Sequence, residues 1–118
     1  LNNFNFPKTD RILKRSYFLQ LSKNGKRVKN KYFTVVYSQG LFGTTRLGLT
    51  VSKKAGNSVR RNKIKRHIRE YFRMNKYSFK RKWDINVIAK PEAGVLASEL
   101  FITSLQDVFK KIEEGIDN

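Results

Sequence analysis

Between Arg11 and Trp83 the chain carries 22 lysines and arginines and a single acid, Glu70. Charges in that number cannot enter a core without partners. Every element in this stretch must therefore turn its apolar residues one way and its cations the other. The remaining segments hold 4 basic and 8 acidic residues, five of the acids within the last twenty positions, and the formal net charge is +17. A surface serving only solubility mixes both signs. Near exclusion of acids over 73 residues calls instead for a polyanionic partner, either nucleic acid or an anionic membrane surface.

The apolar material is nonetheless sufficient for a core. Of 118 residues, 39% are hydrophobic and 13% aromatic, which suits one folded domain spanning 1–118 rather than a disordered polycation. No repeat, low-complexity block or Pro/Gly/Ser linker divides it. The absence of cysteine excludes a disulfide framework and a cysteine-type zinc site, and fits a reducing compartment. No apolar run approaches the ~20 residues of a membrane span, and the first residues lack a signal-peptide layout. A cytoplasmic protein is expected, with no membrane association and no obligate protein partner.

Residues 1–9 read as an extended arm, with Phe4 and Phe6 free to pack on the body. A short helix is expected over 15–24, ended by Gly25 in left-handed geometry. Residues 31–37 read as a strand, Tyr32, Thr34 and Val36 facing one side and Phe33, Val35 and Tyr37 the other. Residues 38–44, with two glycines, read as a hairpin connection to a second strand over 46–52. A loop, a long helix over 58–74, a buried strand over 85–89 and a last helix over 98–114 follow. Ser98 suits the N-cap of that helix, and Phe101, Leu105, Val108 and Ile112 make its apolar stripe. The fold class is α+β, an α-β-β-α-β-α sandwich with room for one further short strand. By default its strand–helix–strand unit crosses over right-handed.

The segment Arg60–Arg73 carries most of the functional signal. At ~100° per residue, Ile64, Ile68, Tyr71 and Phe72 fall in one arc, while Asn62, Lys65, Arg66, Arg69 and Arg73 lie opposite with Lys63 beside them. Arg60 and Arg61 sit at the helix start. Five guanidinium groups in fourteen residues favour phosphate, because each offers a planar fork of donors. An ordinary solvated face would mix signs for i,i+4 pairing. A membrane-surface helix competes less well, since a sandwiched helix also needs the apolar arc. Upstream, Ser52-Lys-Lys-Ala-Gly-Asn-Ser58 offers small residues and backbone N–H groups at a helix start, a natural anion site.

Catalytic groups are missing from this pattern. Metal-dependent nucleases need clustered carboxylates, and the basic stretch has one. The single histidine, His67, lies mid-helix beside the apolar arc and reads as structural or as a weak RNA contact. No nucleophilic triad is suggested by spacing. The domain is expected to bind while another component does any chemistry.

The run Arg46-Leu-Gly-Leu-Thr-Val-Ser-Lys-Lys-Ala-Gly-Asn-Ser-Val-Arg-Arg-Asn-Lys-Ile-Lys-Arg-His-Ile-Arg-Glu70 resembles the signature of the bacterial ribonuclease P protein component. The Arg-x-Leu-Lys-Arg-x-x-Phe stretch from Arg11 to Phe18, the strand after Gly25, the late strand and the closing helix are similar to that family as well. The resemblance implies a non-catalytic protein subunit of an endoribonuclease that removes the 5′ leader of precursor tRNA. Within it the RNA subunit and its Mg²⁺ perform the hydrolysis. It also implies a ribosomal-protein-like α+β domain with a left-handed βαβ crossover, against the right-handed default.

By position, the resemblance assigns Arg61, Asn62, Lys63, Lys65, Arg66 and Arg69 to the catalytic RNA, and the reading of the basic helix adds Arg60 and Arg73 to that set. It assigns Phe18, Tyr32, Thr34, Val36, Ser52, Lys53, Lys54 and Lys90 to a cleft for the precursor-tRNA leader. It assigns no catalytic residue and no metal ligand to the protein. Three positions depart from the family pattern: Lys63 replaces an arginine, Ser22 stands where a second cleft aromatic is common, and Val36 where a tyrosine can occur. The competing readings are a ribosomal protein or RNA chaperone of similar fold, and a DNA-binding regulator. The last lacks a partner helix across a tight turn, as helix-turn-helix binding would need.

Overall fold

The structure, a computed structural model, describes residues 8–40, 43–96 and 98–115. The expected arm lies outside them up to Pro7, and Phe4 and Phe6 with it; Lys8–Asp10 form a short 3-10 turn. Among the described residues the order is α1 (Arg15–Asn24), β1 (Lys26–Lys29), β2 (Phe33–Gln39), β3 (Arg46–Val51), α2 (Ser58–Asn75), β4 (Trp83–Ala89) and α3 (Ser98–Glu114). Strand order in the sheet is β1-β2-β4-β3. β1 and β4 run antiparallel to β2, and β3 runs parallel to β4, so α2 is the connection between two parallel neighbours.

Alternation along the strands builds two different faces. Phe33, Val35 and Tyr37 of β2, Leu47 of β3, and Ile85, Val87 and Ala89 of β4 join one buried cluster with Ile64, Ile68 and Phe72 of α2. Phe101, Leu105, Val108, Phe109 and Ile112 of α3 complete it. On the reverse face Val36 packs with Ile12 and Leu21, and with the half-buried Tyr17, Phe18 and Ile88. The sheet is thus covered by α2 and α3 on one side and by α1 on the other, an α+β sandwich.

The extra short strand is present as β1, whose sequence Lys-Arg-Val-Lys buries only Val28, and three other local expectations are corrected. Three cations in four residues hide the strand pattern, yet they suit a sheet edge, where charge discourages pairing with another chain. The expected hairpin between β2 and β3 does not form, because β4 lies between them and pairs with both. β4 is apolar or compactly polar on both faces, so it takes the interior place. Gly25 is not left-handed but extended, at φ −76° and ψ 158°. Its glycine is required by close approach: a Cβ there would lie 2.6 Å from the Leu21 carbonyl oxygen and 2.8 Å from Val36 Cγ1. Ser98, expected as the cap of the last helix, already belongs to α3.

Two acids that flank the basic stretch are consumed inside the fold. Arg46 grips Asp84 in a bidentate pair, Nε to Oδ1 at 2.9 Å and Nη2 to Oδ2 at 2.8 Å. The Tyr17 ring covers the guanidinium at 4.8 Å, and the hydrogen bonds to Asp84 raise the Arg46 pKa further above its already high value. Asp10 takes the Lys76 ammonium in a second buried pair and accepts from Thr44 Oγ1 at 3.2 Å. The first pair ties β3 to β4, the second pins the chain before α1 to the end of α2, and together they remove both carboxylates from the surface.

Candidate nucleic-acid interface

The outer side of α2 is set by its inner side. Burial of Ile64, Ile68 and Phe72, with Tyr71 half-buried edge-on against Phe109, fixes the rotation of the helix. Burial also raises the Tyr71 pKa by disfavouring the phenolate. Asn62, Lys63, Arg66 and Arg69 are consequently exposed. Among the described residues, Lys63, Arg66 and Arg69 make no ion pair and no hydrogen bond through their side chains. Lys65 is half-buried at the margin of this face.

The remaining members of the predicted set are less free. Arg60 donates from Nη1 to the Gly94 carbonyl, and Arg61 donates from Nε to the Gly56 carbonyl at 3.2 Å. Both tie the helix start to neighbouring loops, although most of their fork donors stay available. Arg73 is half-buried, with its Nε enclosed and no acceptor in reach among the described residues. Its role is partly that of a core-edge side chain.

The loop before α2 departs from the expected cradle of bare N–H groups. Ser52 Oγ accepts from Lys54 N at 3.2 Å and Asn57 Oδ1 accepts from Arg60 N at 2.9 Å. Caps formed by the chain itself satisfy those donors. What the loop presents outward is the exposed pair Lys53 and Lys54.

On the α1 side of the sheet, register divides the surface into rows. Lys29, Thr34, Ile88 and Thr50 stand side by side across all four strands, exposed or half-buried. The next row, Val36, Asn86 and Gly48, lies under α1. A Cβ on Gly48 would fall 2.5 Å from Phe18 Cε1, so this glycine lets the Phe18 ring rest on the sheet. Phe18 is half-buried and packs against the apolar cluster under α1. The open row of Thr34, Ile88 and Thr50, with Lys29 at its β1 end, forms a trough beside the Phe18 ring seated on the neighbouring row.

Several leader-cleft assignments change on this geometry. Val36 is 1% exposed and underlies α1, so it supports Phe18 and cannot meet a ligand. Tyr32 lies ahead of β2 and packs against the main core rather than beside Thr34. Lys90 is half-buried, its Nζ donating to the Asn30 carbonyl at 2.7 Å. Thr34 lies in the open row, and Ser52, Lys53 and Lys54 follow directly after β3. The sequence reading passed over Lys29, Thr50 and Ile88. Alternation within β4 could have placed Ile88 on this face, but the register bringing Lys29 and Thr50 beside it has no local signal.

Among the described residues no three His, Cys, Asp or Glu side chains come together as metal ligands do. No helix is long and apolar enough to cross a membrane among those residues.

Comparison with known proteins agrees in sequence and in shape. The family model described as Ribonuclease P matches residues 6–113. The ribonuclease P protein component of Desulfatibacillum aliphaticivorans is 44% identical over 115 residues, covering 98% of each chain. The solved Staphylococcus aureus RNase P protein superposes with a TM-score of 0.85 at 38% identity, over 94% of this chain and all of that one. The Thermotoga maritima RNase P protein gives a TM-score of 0.79 at 34% identity, over 87% of this chain and 97% of that one.

Proposed function

From the premise that this chain belongs to the bacterial ribonuclease P protein family, we propose that it docks on the catalytic RNA of ribonuclease P through α2 and holds the 5′ leader of precursor tRNA in the trough. Membership implies tRNA processing within a ribonucleoprotein. The observation that carries the finer reading is the division among the cations. Asp10 and Asp84 are neutralised internally, while Lys63, Arg66 and Arg69 face outward with no partner among the described residues. An RNA strand can therefore exchange its counterions for side chains that give up no internal contact.

The trough suits a single strand of variable sequence. Bases stack on Phe18 and contact Ile88, the threonine hydroxyls meet base edges or ribose, and Lys53, Lys54 and Lys29 meet phosphates. Stacking contributes ~1–3 kcal/mol per base with little sequence preference. The Mg²⁺ that the reaction needs belongs to the RNA in this reading, and no residue of the chain is assigned to it. The chain's part is to bind, orient and neutralise, which raises substrate affinity and lowers the divalent-ion requirement.

Leader dependence provides the test. Lys53→Ala with Lys54→Ala is expected to weaken binding of precursor tRNA to the assembled enzyme, and to leave mature tRNA binding and protein–RNA docking nearly unchanged. Equal losses with and without a leader would remove the trough from the account.

A further inference from the structure

We infer that a cavity flanking α2 is a receptor for one unstacked base of the RNA that α2 binds, so that docking is by base insertion as well as by charge. The inference rests on the proposed docking of α2 and assigns that site a second, apolar component. The cavity, about 390 Å³, opens between the first half of α2 and the 3-10 turn Pro91–Val95. Its size is that of small-ligand sites. Ile64, Ala93 and Phe101 are its buried floor, and His67 and Leu96 are half-buried walls. Arg60 and Lys63 stand exposed at its rim. No acid lines it. The larger cavity beside Trp83, by contrast, has Glu113 and Glu114 in its wall.

Three features single out a nucleotide. The first is that Lys63 belongs both to the free cationic face and to the rim. A phosphate held there brings its own base to the cavity mouth. Second, the His67 ring is braced by Phe101, centroids 5.6 Å apart and tilted by 52°. It offers a flat surface on which a base can stack. Third, Val59 remains 76% exposed at the lip. An apolar side chain left in water beside two cations is what a base with its phosphate would cover.

The wall opposite α2 is rigid. A Cβ on Gly94 would fall 1.9 Å from the Ala55 carbonyl oxygen, so the turn and the loop before α2 touch backbone to backbone, and Arg60 clamps them through the Gly94 carbonyl. The cavity is therefore held open rather than closing on itself.

The test uses the full chain, with NMR of the His67 ring and Leu96 methyl groups. Adenosine 5′-monophosphate is expected to shift both, whereas ribose 5-phosphate and inorganic phosphate should move only Arg60 and Lys63. Leu96→Trp fills the cavity without touching charge. It should abolish the adenosine-specific shifts and weaken binding to ribonuclease P RNA about tenfold, leaving the salt dependence as it was. His67→Ala, checked for native circular dichroism, should show the same pattern more weakly and covers the case in which the tryptophan variant misfolds. Identical shifts for adenosine 5′-monophosphate and ribose 5-phosphate would overturn the inference. So would folded cavity variants that bind RNA like the parent. Failure of the parent itself to bind RNA would instead sink the docking proposal.

Discussion

Replacing Arg66 and Arg69 together by alanine isolates the electrostatic core of the account. Both side chains are exposed on α2 and have no intramolecular partner among the described residues, so folding stability should change by no more than ~0.5 kcal/mol. Each phosphate neutralised by a cation contributes ~0.7–0.9 to the slope of log K against log salt. Losing two contacts should flatten that slope by roughly 1.4–1.8. Extrapolated from a 1 M reference to about 0.15 M salt, the same coefficients give a loss of roughly 15–30-fold in affinity for the catalytic RNA. Filter binding or fluorescence anisotropy across a salt series measures both quantities, with urea unfolding as the control. An unchanged slope, with the variant folded, would refute the idea that the partner-free cations of α2 carry docking. Arg60→Ala makes the contrast, since Arg60 also clamps Gly94; it should lose stability as well as affinity.

Asp84→Asn should destabilise the protein by ~3–5 kcal/mol in urea, because it strands the buried Arg46 charge beneath Tyr17; a loss below ~1 kcal/mol would mean that water reaches the pair. Gly94→Ala should cost ~1–3 kcal/mol or more through overpacking against Ala55, read as a lower urea midpoint, and a neutral result would contradict the described backbone contact. Folding keeps Tyr71 protonated by raising its pKa. Its contribution is thus complete below the ordinary tyrosine value of ~10 and is lost as pH climbs through the raised one. Tyr71→Phe should flatten the decline of stability with alkaline pH, and an unaltered alkaline limb would exclude this residue as its source.

Long periodic segments were the legible part of the fold. The bounds of α1 and α3 agree with the apolar spacing of their residues, and α2 differs by one position. α2 and α3 repeat their burial pattern over several turns, and α1 shows it once, through Phe18 and Leu21. β1 was foreseen only as an optional strand without a place, because its single inward residue, Val28, sits among three cations. The strand order escaped because insertion of β4 between β2 and β3 is a long-range event that no turn sequence announces. The same limit governs the candidate site. The cations of α2 were readable from helical angle alone, since one face had to be core. Which of them are free was not readable, because Arg60 and Arg61 find backbone carbonyls only once the loops have packed. Val36 and Ile88 show the matter most clearly. Both point to the α1 side of the sheet, and only the placement of α1 buries one and leaves the other open.

Cleavage of a precursor tRNA by a bacterial ribonuclease P RNA, with and without this protein at low millimolar Mg²⁺, tests the central claim most directly. The account predicts strong stimulation of 5′-leader removal and no cleavage by the protein alone. Activity of the purified protein without RNA would contradict the placement of chemistry in the RNA, and no stimulation of a competent cognate RNA would contradict the proposed function as a whole.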